Sequence, residues 1–149
     1  MILYCDTSAL VKRYVNEAGT DLVDAAWEQA SVIATSVVAY AESMAAFHRR
    51  EREGRLTQKN LRRISDKFKG DYRQIILVPA DHHLHQFIDE LLKHHPLRGF
   101  DAIHLASALI FNSDDKETIV FACFDASLNK AAEKEGLRIL PETSPQRIK

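Results

Sequence analysis

Cysteine is scarce, long apolar runs are missing and neither sign of charge prevails, and each absence narrows the field. The two cysteines, Cys5 and Cys123, both sit inside apolar runs of strand length. Their spacing fits no zinc or redox motif, so they read as reduced core thiols of a reducing compartment, with the cytoplasm as the expected location. No apolar stretch approaches the roughly 18 residues of a membrane span. The opening Met1-Ile2-Leu3-Tyr4-Cys5-Asp6 has no basic leader and no cleavage site, so no signal peptide is expected. A net charge of −1 gives no bulk attraction for a polyanion. Repeats, linkers and low-complexity segments are also lacking. What remains, 149 residues with 46% hydrophobic and 28% charged side chains, is one ordinary globular domain rather than a disordered or fibrous chain.

Apolar runs of strand length alternate with helical patterns from end to end, which predicts an α/β domain with a mostly parallel central sheet. Strands are expected at 2–5, 32–34, 75–78, 118–123 and 137–140. Helices are expected from Ser8 to about Asn16, at 20–30 with Leu22, Val23, Ala26 and Trp27 on one side, and at 37–53 with Val38, Ala41 and Ala45 on the core stripe. Further helices are expected at 57–72, at 81–94 behind an Asp81 cap, at 100–112 and at 126–135. Thr35 and Ser36 are good N-cap types for the third helix. Asn112 to Asp115 reads as a loop, residues 1–140 as the domain, and 141–149 as a polar tail. Between His48 and Arg73 lie ten Lys and Arg against four acids, a local balance of +6, either a pair of solvated helix faces or a patch for a polyanion.

Four carboxylates stand where a soluble domain gains nothing from them. Asp6 closes the first apolar strand and Asp125 closes the run 119–124, each between a strand and a helix. In parallel sheets ligands bind beyond the carboxyl ends of strands, although an Asp there is also an ordinary helix cap. Glu42 interrupts the apolar stripe of its helix, where it needs a cation or a set of donors. Asp101 opens an almost wholly apolar helix, a position that the helix dipole also favours. If the four converge, each close pair repels by about 4 kcal/mol at about 4 Å and an effective dielectric near 20. A divalent cation with oxygen ligands, Mg²⁺ or Mn²⁺, removes that cost.

Four stretches carry a resemblance. Asp6-Thr7-Ser8-Ala9-Leu10 after an apolar strand, Ser36 to Glu42, Arg98-Gly99-Phe100-Asp101-Ala102-Ile103-His104-Leu105-Ala106, and Phe124 to Ala132 resemble in order and spacing the four motifs of the PIN-domain ribonucleases. In length and wording they are most similar to the VapC-type toxins of toxin–antitoxin pairs. The resemblance implies a three-layer α/β/α PIN-like fold and a metal-dependent endoribonuclease hydrolysing RNA phosphodiester bonds. Asp6, Glu42, Asp101 and Asp125 would be the acidic site holding one or two Mg²⁺ or Mn²⁺ ions, with the Ser8 hydroxyl beside it. It also implies an RNA substrate, a small antitoxin covering the crevice, a homodimer and no membrane. One departure is Cys123, where family members often carry Thr; a thiol is a poor hydrogen-bond partner.

Hydrolysis of a phosphodiester needs a water delivered to an anion and charge stabilised on the leaving oxygen, which bound cations provide without a nucleophilic side chain. Arg98 and His104 flank Asp101, and either could reach phosphate, although a histidine inside such a helix is more often a packing residue. His82, His83 and His85 have poor spacing for zinc and read as surface histidines. A different class is a non-catalytic PIN-like module that binds RNA or protein through residues 48–73, which leaves the four acids unexplained. An aspartyl-nucleophile phosphatase would want a second Asp where Ser8 stands, and a receiver domain would want adjacent acids before the first helix.

Overall fold

The structure is a computed structural model, and it describes residues 1–114 and 118–142, with only the helical backbone described for 112–114. Strands β1 (Ile2–Cys5), β2 (Val32–Ser36), β3 (Ile76–Val78), β4 (Ile119–Ala122) and β5 (Arg138–Leu140) pair in the order β3-β2-β1-β4-β5. Every neighbouring pair is parallel, with Leu3 beside Ile33 on one side and beside Val120 on the other. The helices are α1 (Thr7–Tyr14), α2 (Thr20–Gln29), α3 (Ala39–Arg52), α4 (Gln58–Tyr72), α5 (His82–His94), α6 (Gly99–Asp114) and α7 (Ala126–Lys134).

Helices cover both faces of a parallel sheet, so its strands are apolar throughout instead of alternating. Ile2 and Tyr4 enter one core with Leu84, Leu91, Leu105, Phe121 and Leu128, from α5, α6, β4 and α7. Leu3 and Cys5 point the other way, to Leu10, Val23, Phe47, Ile64 and Phe68 of α1 to α4. The result is a three-layer α/β/α arrangement: the order of apolar runs predicts the parallel α/β sheet, and the resemblance implies the layering. Because β1 has β2 on one side and β4 on the other, the winding reverses between β1 and β4, and a crevice opens beyond their carboxyl ends.

Several details differ from the sequence reading. Strand β2 continues through Ser36, so Thr35 is not a cap; its hydroxyl donates to the Cys5 carbonyl at 2.7 Å and stitches β2 to β1. Helix α3 starts behind Val38, and Ser36 Oγ only accepts the Val38 N–H at 3.3 Å. The buried face of α3 is Ala39, Ser43 and Phe47, while Ala41 and Ala45 are exposed. Alanine is small enough for either side, and Phe47, the largest apolar side chain of the helix, decides which face turns inward. On α2, Val23 is buried but Leu22 is exposed. Helix α6 runs two residues past the expected end at 112; Asp115 and the tail from 143 lie outside the described residues.

Gly19 ends the loop after α1 at φ +98°, and a Cβ built there would lie 2.5 Å from Cε1 of Phe124. Gly19→Ala therefore combines left-handed backbone strain with a clash beside Asp125. A loss of about 1–3 kcal/mol in urea unfolding is expected.

Candidate active site

Asp6 is the residue after β1, and its carboxylate caps α1: one oxygen accepts from the Ala9 amide at 3.0 Å and from Ser8 Oγ at 2.7 Å. Asp125 does the same after β4, accepting from the Leu128 amide at 2.8 Å. Capping and a place at the crevice are thus not alternatives, because each cap occupies one oxygen of its carboxylate. Ser8 also accepts the Phe124 amide at 2.9 Å and so joins the ends of β1 and β4. Cys123 accepts the Asp125 N–H on its sulfur at 3.3 Å. Burial, with the nearby Asp6 charge, pushes its thiol far above the ordinary range, so it serves as a neutral packing and capping atom.

Glu42 lies in the first turn of α3 and is held by groups that the sequence reading did not assign to it. Thr7 Oγ1 donates to Oε1 at 2.6 Å, and His104 Nε2 meets the same oxygen at 2.9 Å. His104 is buried, and its Nδ1 lies 2.9 Å from the Tyr4 hydroxyl. A carboxylate only accepts, so Nε2 carries the proton toward Glu42, and Nδ1 shares a hydrogen bond with the Tyr4 hydroxyl. Burial raises the Glu42 carboxyl, but the hydrogen bonds from His104 and Thr7 outweigh it and hold the group below the usual glutamate range. Both donors grip Oε1, which fixes the direction of Oε2. Tyr4→Phe would leave the buried Nδ1 without its hydrogen-bond partner, and a loss of about 1–3 kcal/mol is expected in denaturant unfolding.

Asp101 is in the first turn of α6, with the Arg98 guanidinium 3.6 Å away. Its carboxyl is held above the usual aspartate range by burial first, then by the charges of Asp125 and Asp6, partly offset by Arg98 and His104. All four carboxylates line one crevice of about 610 Å³, with Ser8, Arg98 and His104 also in its wall. The structure thus brings together every residue of the acidic site expected from the sequence. Thr7 and Tyr4 were missed, although Thr7 adjoins Asp6. The histidines of α5 are elsewhere: His82, His83 and His85 are exposed on that helix.

The four carboxylates offer hard oxygen ligands to the crevice, and the mutual field of Asp6, Asp101 and Asp125 is one that a cation would relieve. Among the described residues no three His, Cys, Asp or Glu side chains already close on a single point.

The family model described as the PIN domain matches residues 3–134. This chain belongs to the PIN-domain family. Two curated proteins of Mycobacterium tuberculosis, ribonuclease VapC45 (strain CDC 1551 / Oshkosh) and ribonuclease VapC49 (strain ATCC 25618 / H37Rv), are each 31% identical to this PIN domain over 140 residues, 94% of it and 95% of theirs. Among solved structures, VapBC2 from Rickettsia felis bound to a DNA fragment from their promoter superposes with a TM-score of 0.62 at 12% identity, over 93% of this chain and 97% of that one. FitAcB from Neisseria gonorrhoeae gives 0.64 at 14%, over 93% and 96%. At that identity the likeness establishes the fold, and the three layers seen here are those of a PIN domain.

Proposed function

We propose that this PIN domain, residues 1–140, is a Mg²⁺- or Mn²⁺-dependent endoribonuclease and the toxin of a toxin–antitoxin pair. The observation that carries the reading is the convergence of Asp6, Glu42, Asp101 and Asp125, from four separate segments, on one crevice at the carboxyl ends of β1 and β4. The two ribonucleases similar over nearly their full length support RNA as the substrate. A small antitoxin as partner is supported by the likeness to VapBC2, and its place in this proposal is over the crevice. A homodimer and a cytoplasmic location complete the proposal; among the described residues no helix is long and apolar enough to cross a membrane.

In this reading Asp6, Glu42, Asp101 and Asp125 would hold one or two ions, which would supply activation of a water and stabilisation of charge on the phosphate oxygens. The chain supplies the geometry. Ser8 fixes Asp6 and ties it to the β4 end. Thr7 and His104 hold one oxygen of Glu42, so the other keeps its aim. The exposed Arg98 stands beside Asp101 to meet a substrate phosphate. No side chain is required as a nucleophile.

The rival is a PIN-like module that binds RNA or protein without cutting it. Incubation of the purified chain with RNA, with Mg²⁺ or Mn²⁺ and with chelator, separates the two. The nuclease reading expects cleavage only with the ion; bound but intact RNA at every metal concentration would favour the module.

A further inference from the structure

The basic stretch 48–73 does not form one patch. Arg55 and Arg63 turn to a cavity shared with Arg13 and Asp24, while Lys59 and Arg62 lie with Asp66 on the outer side of α4. Only Arg49 and Arg50 reach the crevice of the four acids. They do so as the end of a continuous stripe. Glu42, Ala45, Ala46, Arg49 and Arg50 all line the crevice, at helical spacings i, i+3, i+4, i+7 and i+8. Along α3 the cations therefore stand about 10 Å beyond Glu42, at about 1.5 Å rise per residue. The two alanines between them leave an open floor.

Helix α1 repeats the pattern on the facing wall, where Ser8 beside the acids is followed one turn later by Lys12. Lys12 is braced: its ammonium lies 3.1 Å from Glu17 and 4.7 Å from the centre of the Phe124 ring. Arg50 reaches the same Glu17 carboxylate at 3.1 Å and donates to the Ala46 carbonyl. Burial raises the Glu17 carboxyl, but the bonds from Lys12 and Arg50 outweigh it and keep it ionised. Arg49 is exposed and has no acid at ion-pair distance among the described residues. The crevice thus gathers the four acids, with Arg98, at one end and Lys12, Arg49 and Arg50, around Glu17, at the other, a charge order that suits a strand whose reacting phosphate needs a metal and whose next phosphates need a cation.

We propose that Arg49, with Arg50 and Lys12 fixed behind it by Glu17, is a subsite for a phosphate of the RNA strand flanking the one that is cut. The proposal rests on the nuclease reading for the place of the scissile phosphate, but its own readout is binding. The test is fluorescence anisotropy of a labelled single-stranded oligoribonucleotide, in chelator to prevent turnover, over a range of salt. Arg49→Ala is expected to weaken binding several-fold and to reduce the slope of log K against log salt by about 0.7, the value for one fewer phosphate neutralised on a single strand. Arg49→Lys should restore the slope, and Arg62→Ala, which removes the same charge outside the crevice, should leave it unchanged. With Mg²⁺, Arg49→Ala should raise KM and spare kcat.

No binding by the wild type in chelator, an unchanged slope for Arg49→Ala, or an equal loss for Arg62→Ala would overturn the subsite. A wild type that cuts RNA while Arg49→Ala changes neither slope nor KM would defeat the subsite and leave the nuclease reading standing. A slope that depends on Arg49 in a protein that never cuts RNA would keep the subsite and defeat the nuclease reading.

Discussion

Asp101→Asn is expected to reduce metal-dependent RNA cleavage by more than about 100-fold, the upper end for groups that merely support a metal ligand. At the same time its melting temperature at pH 7 should equal or exceed that of the wild type. The two halves follow from one fact. Within the fold, burial and the Asp125 and Asp6 charges hold the Asp101 carboxyl above its usual range. Between its unfolded value, about 3.9, and that raised value the native state binds more protons than the unfolded state, so stability falls as pH rises through the window. Asparagine keeps the shape and removes the cost. The advantage of the variant should therefore vanish as pH drops below about 3.9, where the wild-type carboxyl is protonated in both states.

Glu42→Gln is the counterpart with the opposite sign. Its folded value is depressed by His104 and Thr7, so the carboxylate contributes stability above about 4.3, and that contribution is lost as pH falls through the folded value. Both substitutions should abolish cleavage, yet at pH 7 one should hold or raise the melting temperature and the other lower it. A common fall in stability for both would show that the carboxylates serve the fold and not a site.

Phe68→Ala carries the second large effect, on stability instead of chemistry. Phe68 is fully buried between α3 and α4. Its ring centroid lies 5.3 Å from that of Tyr14, 5.4 Å from Phe47, 5.2 Å from Tyr72 and 5.8 Å from Tyr40. Truncation removes the hub of this aromatic cluster and leaves a cavity that rigid neighbours fill poorly. The expected cost is about 3–5 kcal/mol, a large share of a total stability that is commonly about 5–15 kcal/mol. Denaturant unfolding with an unchanged m-value would report it. Phe68 does not line the crevice, so cleavage per folded molecule should survive at low temperature. Phe68→Leu, which refills most of the volume, should cost clearly less.

These expectations mark what the amino-acid order reveals and what it hides. Asp6, Asp125 and Asp101 are legible because strand ends and helix starts announce themselves in local pattern. Glu42 is legible as an acid in an apolar helix, although the stripe assigned to that helix was the wrong one: two alanines imitated a core face that Phe47 occupies in fact. The groups that hold Glu42 are not legible, because Thr7 and His104 meet it from 35 and 62 residues away and Tyr4 meets His104 from 100. Such bonds leave no periodic trace. The run of basic residues is misleading for a related reason. A helix turns about 100° per residue, so neighbouring arginines face different surfaces, and the crevice receives only two of them.

The most direct test is a titration of Mn²⁺ into the wild type and into Asp101→Asn, followed by the melting temperature without any RNA. A site built from these carboxylates predicts a rise for the wild type of about 5–10 °C at an ion concentration near 100 times Kd, from about 2.7 kcal/mol of linked binding energy. It predicts little or none for the variant. An equal rise in both proteins, or no rise in either while RNA is still cut in chelator, would contradict it.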